Sequence, residues 1–166
     1  MNNKIKSSLL SLMFLVLIPT TVTATGLTDF SGRGSNLSEH TGNGKWLVVM
    51  LWASYCHVCN DEAHQYNQFH LDHHGKDASV IGVSLDGAAG QAEAEAFVRR
   101  HDIAFPNLIG EPERVADLYQ TLTGTPWRGT PSFLVYGPDG ELAAKQEGAV
   151  PIHLIEAFIS KNSKVE

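Results

Sequence analysis

The sequence predicts an α/β fold, with one mixed central sheet flanked by helices on both faces in a single domain. Three observations predict it. Trp46 to Trp52 (WLVVMLW) and Ser79 to Leu85 (SVIGVSL) are apolar runs rich in β-branched residues, the composition of strands buried on both faces of a largely parallel sheet. Between and after them, apolar residues recur at helical spacing: Ala63, Tyr66 and Phe69 in one stretch, Ala94, Phe97 and Val98 in the other. Near the end, Gly137-Pro138-Asp139-Gly140 separates two short strand-like runs and adds an antiparallel hairpin. Parallel strands need helical crossovers and a hairpin does not, so this order of elements gives a mixed sheet between helices.

The first residues do not belong to that domain. Lys4 and Lys6 give a positive start, Leu9 to Ile18 form an apolar core, and Val22 to Ala24 end in small residues suited to cleavage. This is the pattern of an export signal, with cleavage expected near Ala24. The apolar core is too short to span a bilayer as a stable helix. An uncleaved membrane anchor is the alternative, and no cysteine follows the signal to carry a lipid. Residues 25–166 then form one domain, with 10 basic against 18 acidic residues, a formal charge of −8. That balance argues against nucleic acid as a partner.

Taken in order, Thr25 to Asn43 is rich in Gly, Ser, Thr and Asn and reads as a loose lead-in with room for a short hairpin around Phe30 and Leu37. Trp46 to Trp52 is the first long strand. Ala53, Ser54 and Tyr55 make a turn, and Cys56-His57-Val58-Cys59 stands where a helix begins, running through Glu62 to about His73-His74-Gly75. His64, His70, His73 and His74 lie on this helix, and imidazoles at helical spacing can share a cation. With no carboxylate or thiolate to complete a ligand set, a solvated helix face is the default. Ser79 to Leu85 is the next strand, and Gln91 to His101 is an amphipathic crossover that makes a right-handed βαβ unit. Phe105 to Ile109 is a short strand. Glu111-Pro112 opens a helix with proline in its first turn, its Val115, Leu118 and Tyr119 facing inward. Thr121 to Thr130 reads as loop. Ser132 to Tyr136 and Glu141 to Gln146 form the hairpin, Pro151 to Ser160 forms a last helix burying Ile152, Ile155, Phe158 and Ile159, and the Lys161 to Glu166 tail is expected to fray.

The chemistry concentrates at the two cysteines, both in one CxxC. Unpaired N–H groups and the positive end of the helix dipole stabilise an anion at a helix start, here the thiolate of Cys56. Its pKa is expected to fall from about 8.5 into the range of roughly 3.5 to 7.5. Cys59, one turn inside, is expected to be more buried and to act second. Sulfurs two residues apart on a helical turn come within disulfide reach, so one can attack a partner and the other can resolve the mixed disulfide. An exported chain that spends no cysteine on a structural bridge leaves this pair free for exchange. The bland alternative is a static staple, although so small a loop removes little chain entropy. A zinc site would need ligands from a second CxxC, which the sequence lacks. Glu62 is the nearest carboxylate able to take the Cys59 proton, with a dipole partner as the alternative. His57, beside Val58 inside the motif, offers a charge or hydrogen bond to the thiolate unless it points into solvent. Trp52 and Tyr55 offer an apolar docking rim or, alternatively, plain packing.

Several motifs together carry a family resemblance. They are Gly44-Lys45 before the strand, Trp52-Ala53, the CxxC, Glu62 three residues after it, and Gly129-Thr130-Pro131 leading into Ser132 to Val135 and the Pro-Asp-Gly turn. In these the chain resembles the thioredoxin superfamily and, within it, the exported TlpA/ResA-like thiol-disulfide oxidoreductases, over roughly Leu27 to Ile159. The resemblance implies a thioredoxin fold and a periplasmic enzyme that exchanges disulfides with protein substrates through Cys56 and Cys59. It implies no cofactor and no metal, a membrane or periplasmic redox partner, and proton transfer to Glu62; a monomer is expected. It also implies a cis-proline. Of the two Thr-Pro pairs, only Thr130-Pro131 leads directly into an apolar strand at the family's distance from the turn, so Pro131 is expected cis, with the Thr130 backbone beside Cys56 offering an edge to an extended substrate. Tyr55 stands where the family often has Trp, Met50 where cytoplasmic thioredoxins have a buried Asp, and His57-Val58 contains no proline. His57 argues for a potential above the approximately −270 mV of thioredoxin. Two further functions fit these residues. One is a thioredoxin-fold copper chaperone using Cys56, Cys59 and a histidine; the other is a thiol peroxidase with a single attacking cysteine, for which the CxxC would be superfluous.

Overall fold

The apolar run at Trp46–Trp52 becomes the strand on which the molecule is built, buried at every position. The computed structural model describes residues 26–163. The expected export signal, Met1 to Ala24, lies outside these residues. Element order is β1 (Leu27–Asp29), β2 (Gly34–Ser35), a single 3-10 turn (Leu37–Glu39), β3 (Trp46–Trp52), α1 (His57–His73) and β4 (Ala78–Ser84). A second 3-10 turn (Ala88–Gly90) leads to α2 (Gln91–Arg100), β5 (Asn107–Gly110), α3 (Pro112–Thr123), β6 (Ser132–Tyr136), β7 (Leu142–Glu147) and α4 (Ile152–Asn162).

These strands form one sheet in the order β2-β1-β5-β4-β3-β6-β7. β3, β4 and β5 run parallel, as expected for strands joined by helical crossovers, while β1, β2, β6 and β7 join antiparallel. The sheet is therefore mixed, as predicted. Alternation along β3 divides the core in two. Trp46, Val48, Met50 and Trp52 face Tyr66 and Phe69 of α1, Phe97 of α2 and Ile155 of α4. Leu47, Val49 and Leu51 face Val115 and Tyr119 of α3 together with Leu27. Period-two side-chain direction thus gives each face its own helices.

Several boundaries differ from the sequence-based expectation, each for a local reason. α3 continues through Thr121 to Thr123, and the Thr121 hydroxyl is accommodated within it by donating back to the Asp117 carbonyl at 2.8 Å. The helix stops at Gly124, whose φ of +69° suits a left-handed cap. β5 begins at Asn107 and not at Phe105, since Pro106 has no N–H to give a ladder; its carbonyl accepts from Gly82 N instead. Lys161 and Asn162 are helical and not frayed, and α4 is tied to the sheet where the Trp46 indole donates to Ser163 Oγ at 2.9 Å. The lead-in is more ordered than expected. The Asp29 carboxylate accepts from Ser31 and Arg33, closing the β1–β2 hairpin, and β1 extends the sheet along β5.

The histidine-bearing face of α1 is also only partly solvated. His70 is buried, and its Nδ1 accepts the Val80 N–H at 3.1 Å, bonding α1 to β4. His73 stacks on Phe69 and meets Asp77 at 2.9 Å. Aromatic rings carry enough apolar surface to follow Phe69 inward.

Candidate active site

β3 ends at Trp52, and its chain leaves the sheet through Ala53, Ser54 and Tyr55 into α1. Cys56 is the N-cap of that helix, in extended backbone, and its Sγ accepts the Cys59 N–H at 3.1 Å. The Cys56 N–H donates to the Ala53 carbonyl at 3.0 Å, which tightens the turn. The two cysteines are joined as a disulfide across a Cα separation of 5.2 Å. Cys56 retains 9% exposure and Cys59 none, the order expected of an attacking and a resolving sulfur. The Cys59 amide is one of the orphan donors of a helix start, and in the dithiol state it would hold a Cys56 thiolate in the same place.

Glu62 sits three residues beyond Cys59, in the second turn of α1, and is 7% exposed. It lies deeper than a solvated partner of the helix dipole would. Burial raises its pKa above the ordinary carboxylate range against the opposing effect of hydrogen bonds from Val150 and Gln65, the charge of Asp61 adding a smaller push upward, and Oε2 is buried without a hydrogen-bond partner. One turn further, the Tyr66 hydroxyl donates to the Val150 carbonyl at 2.8 Å, and burial together with the Glu62 charge raises its pKa.

The residues expected to modulate the site divide unevenly. His57 does not lean on the sulfur: its side chain is 91% exposed and its ring lies 3.6 Å from the Asp61 carboxylate, one turn along the helix. Trp52 is core and not rim. It is 1% exposed, stacks on Phe97 with ring centres 4.2 Å apart, and its indole donates to Asn107 Oδ1. Its seven-residue strand alternates into the α1 and α2 face, which is why it turns inward. Tyr55 is 78% exposed and Val58 38% exposed, two large apolar side chains at the surface on either side of Cys56 in the chain. Met50 is buried in the middle of β3.

The Thr130-Pro131 bond is cis. β6 runs antiparallel to β3 with Leu51 opposite Ser132, so one further step in that register places Pro131 across from Trp52. This is the end of β3 that leads into the cysteines. Gly148 N donates to the Pro131 carbonyl and Ser132 Oγ to the Gly129 carbonyl, which fixes the segment on both sides. Cys56 and Cys59 do not join a third His, Cys, Asp or Glu in a cluster able to hold a metal ion among the described residues.

Sequence reasoning missed a ring of polar groups around Ser54. The Asp86 carboxylate accepts from Ser54 N–H at 3.0 Å, Ser54 Oγ at 2.6 Å and Ser84 Oγ at 2.6 Å. The Asn60 amide donates to the carbonyls of Ser54 and Cys56 at 3.1 and 2.8 Å. Its oxygen accepts from Arg100 at 2.8 Å and meets the His101 ring at 2.9 Å. One signal was available: Asp86 directly follows a buried strand at the end of the sheet where parallel strands present their loops.

The geometry agrees with what comparison shows. A family model described as AhpC/TSA family matches residues 19–145. The thiol-disulfide oxidoreductase ResA of Oceanobacillus iheyensis is 24% identical over 117 residues, covering 70% of this chain and 57% of the relative. The chain thus spans little more than half the length of that relative. ResA of Halalkalibacterium halodurans is 23% identical, covering 80% of this chain and 70% of the relative. Among solved structures, a secreted Mycobacterium tuberculosis disulfide oxidoreductase described as homologous to E. coli DsbE aligns with a TM-score of 0.64 at 21% identity. That alignment covers 81% of this chain and 92% of the other. At that identity the likeness shows the fold, which is the thioredoxin fold expected from the motifs.

Proposed function

From the premise that this chain belongs to the AhpC/TSA family of the thioredoxin superfamily, we propose that it is a thiol-disulfide oxidoreductase exchanging disulfides with protein substrates through Cys56 and Cys59. The observation that carries the reading is a CxxC disulfide at a helix start, its second sulfur fully buried one turn above a buried carboxylate. The names of the curated relatives support the same activity.

In the reducing direction, the Cys56 thiolate attacks one sulfur of a substrate disulfide. A mixed disulfide forms and one substrate thiolate leaves. Cys59 then gives its proton to Glu62, and the resulting thiolate attacks Cys56 Sγ, which closes the Cys56–Cys59 bond and releases the second substrate thiolate. The substrate disulfide gains two electrons and the CxxC loses them. A raised pKa suits Glu62 to this transfer, because a thiol gives up its proton more readily to a more basic carboxylate. Tyr55 and Val58 form the apolar contact, and the segment at Thr130-Pro131 presents backbone to an extended substrate.

The chain is exported to the periplasm with its signal removed near Ala24, a reading supported by the charged start and apolar run of residues 1–24, and residues 25–166 act as one monomeric domain. Its dithiol is regenerated by a membrane or periplasmic redox partner, since the cycle above leaves the CxxC oxidised. The test is trapping. A Cys59→Ser variant is expected to accumulate mixed disulfides with exported proteins, and Cys56→Ser to trap none. Trapping only by Cys56→Ser reverses the roles, and peroxide turnover by Cys59→Ser with no trapping favours the peroxidase alternative.

A further inference from the structure

The parallel ladder between β3 and β4 does not stop where the strands do. Leu85 N donates to the Trp52 carbonyl at 2.8 Å, and the next step is taken by a side chain: the Asp86 carboxylate receives the Ser54 N–H and hydroxyl. Ser84 Oγ donates to the same carboxylate and accepts from Asp86 N, which orients it. Ser54 is thus held at its N–H and Oγ by Asp86 and at its carbonyl by Asn60. Two residues later comes Cys56, whose own carbonyl is bound by the same Asn60. The turn that carries the attacking sulfur is therefore fastened to β4 from below and to α1 from within.

We propose that Asp86 is a positioning residue for the thiol-disulfide reaction: by holding Ser54 it keeps Cys56 over Cys59 in the dithiol state. The inference rests on the function proposed above. A disulfide forms in proportion to the effective concentration of one sulfur at the other, and that concentration falls when either carrier segment is loosened. In the disulfide the covalent bond maintains the approach. In the dithiol only the surrounding structure does, so the clamp acts mainly on ring closure and resolution. Hydrogen bonds to a charged acceptor are the strong class, and losing the two that hold Ser54 leaves its turn tied by Asn60 alone. Neither sulfur touches Asp86 in this role. Its effect reaches the chemistry through Ser54.

The test is the equilibrium of the full exported chain with reduced and oxidised glutathione, with the pKa of Cys56 read by thiolate absorbance and the resolution rate by single turnover. Asp86→Ala is expected to lower the equilibrium constant for disulfide formation about tenfold, about 30 mV toward a less reducing potential. Resolution slows with it, while the initial attack by Cys56 stays near the parent rate. Asp86→Asn keeps an acceptor for Ser54 N–H and a donor for Ser84, and is expected to recover most of the loss. Ser54→Ala removes one of the bonds and is expected to cost about threefold, a readout that survives if Asp86→Ala does not fold. An equilibrium constant unchanged in a folded Asp86→Ala or in Ser54→Ala overturns the proposal. So does Asp86→Asn behaving like Asp86→Ala, because charge and not placement would then be the cause. A parent chain that does not exchange with glutathione overturns the oxidoreductase reading itself, a result separable from the others.

Discussion

A single buried carboxylate shows how function sets itself against stability here. Glu62 has a pKa raised above its unfolded value by burial, so between the two values the folded state binds the proton more tightly than the unfolded chain does. Stability is then fully present at acid pH and is lost as pH rises through the folded pKa. Glu62→Gln mimics the protonated form and is expected to stabilise the protein at pH 7 by about 1 kcal/mol. That gain should shrink toward nothing near pH 4, as read by urea unfolding at both values. The same variant is expected to slow the resolving step by about 100-fold, the lower end for lost acid-base assistance. A stabilised variant that resolves at the parent rate would remove Glu62 from the mechanism and leave it a strained core residue. At this scale the sequence was informative about identity and poor about direction. The Cys56–Cys59 pair was legible from its spacing, and the cis bond before Pro131 and the place of Glu62 from the motifs that carry the family resemblance. His57 and Trp52 were not, since one turns out to Asp61 and the other in to Phe97, and nothing in a linear sequence states which way a side chain leaves the backbone. With His57 exposed and facing a carboxylate, it no longer supports a raised potential.

Between elements, the contact that matters most for pH is the one joining α1 to β4. His70 is held neutral by burial, with the neighbouring His74 adding to the effect, and its Nδ1 must be unprotonated to accept the Val80 N–H. Its folded pKa is depressed, so its contribution is present above the unfolded value of about 6.5 and lost as pH falls through the folded value. Melting temperature is therefore expected to drop between pH 7 and pH 5. In His70→Asn, whose Oδ1 can accept the same N–H without titrating, the drop should be smaller. Some should remain, because burial and Arg100 also depress His101. Equal acid sensitivity in parent and variant would remove His70 as the source. Element existence was largely legible here, since β3 matches its apolar run residue for residue. What periodicity could not show was how elements recruit one another. β4 keeps Gly82 because a Cβ there would lie 1.9 Å from Asn107 Oδ1 and 2.7 Å from the Trp52 indole nitrogen, the pair bonded across the sheet. That requirement comes from three strands at once and leaves no local trace.

Over the whole molecule, folding and redox state are linked by a closed cycle: dithiol or disulfide, folded or unfolded. The difference in stability between oxidised and reduced protein therefore equals the change in disulfide free energy on folding. Two terms decide its sign. Closing a loop of four residues restricts the unfolded chain by about 2 kcal/mol in the chain-entropy model, little beside a long loop but enough to favour the oxidised fold. Against it, the Cys59 N–H and the start of α1 stabilise a Cys56 thiolate by about 0.3 to 1 kcal/mol, which favours the reduced fold. Complete burial of Cys59 opposes any charge on the second sulfur, so no equal term arises from it. The oxidised protein is thus expected to be the more stable form by about 1 to 2 kcal/mol at pH 7, read from urea midpoints with and without reductant at constant slope. By the same cycle, the folded site is about 20 to 40 mV more reducing than the CxxC of its own unfolded chain. Folding thus shifts the site toward its disulfide, and the direction of exchange with any partner is set by the difference between the two potentials. A reduced form more stable than the oxidised one would reverse the sign. The thiolate term would then exceed the loop term, and the folded site would be more oxidising than the CxxC of its own unfolded chain.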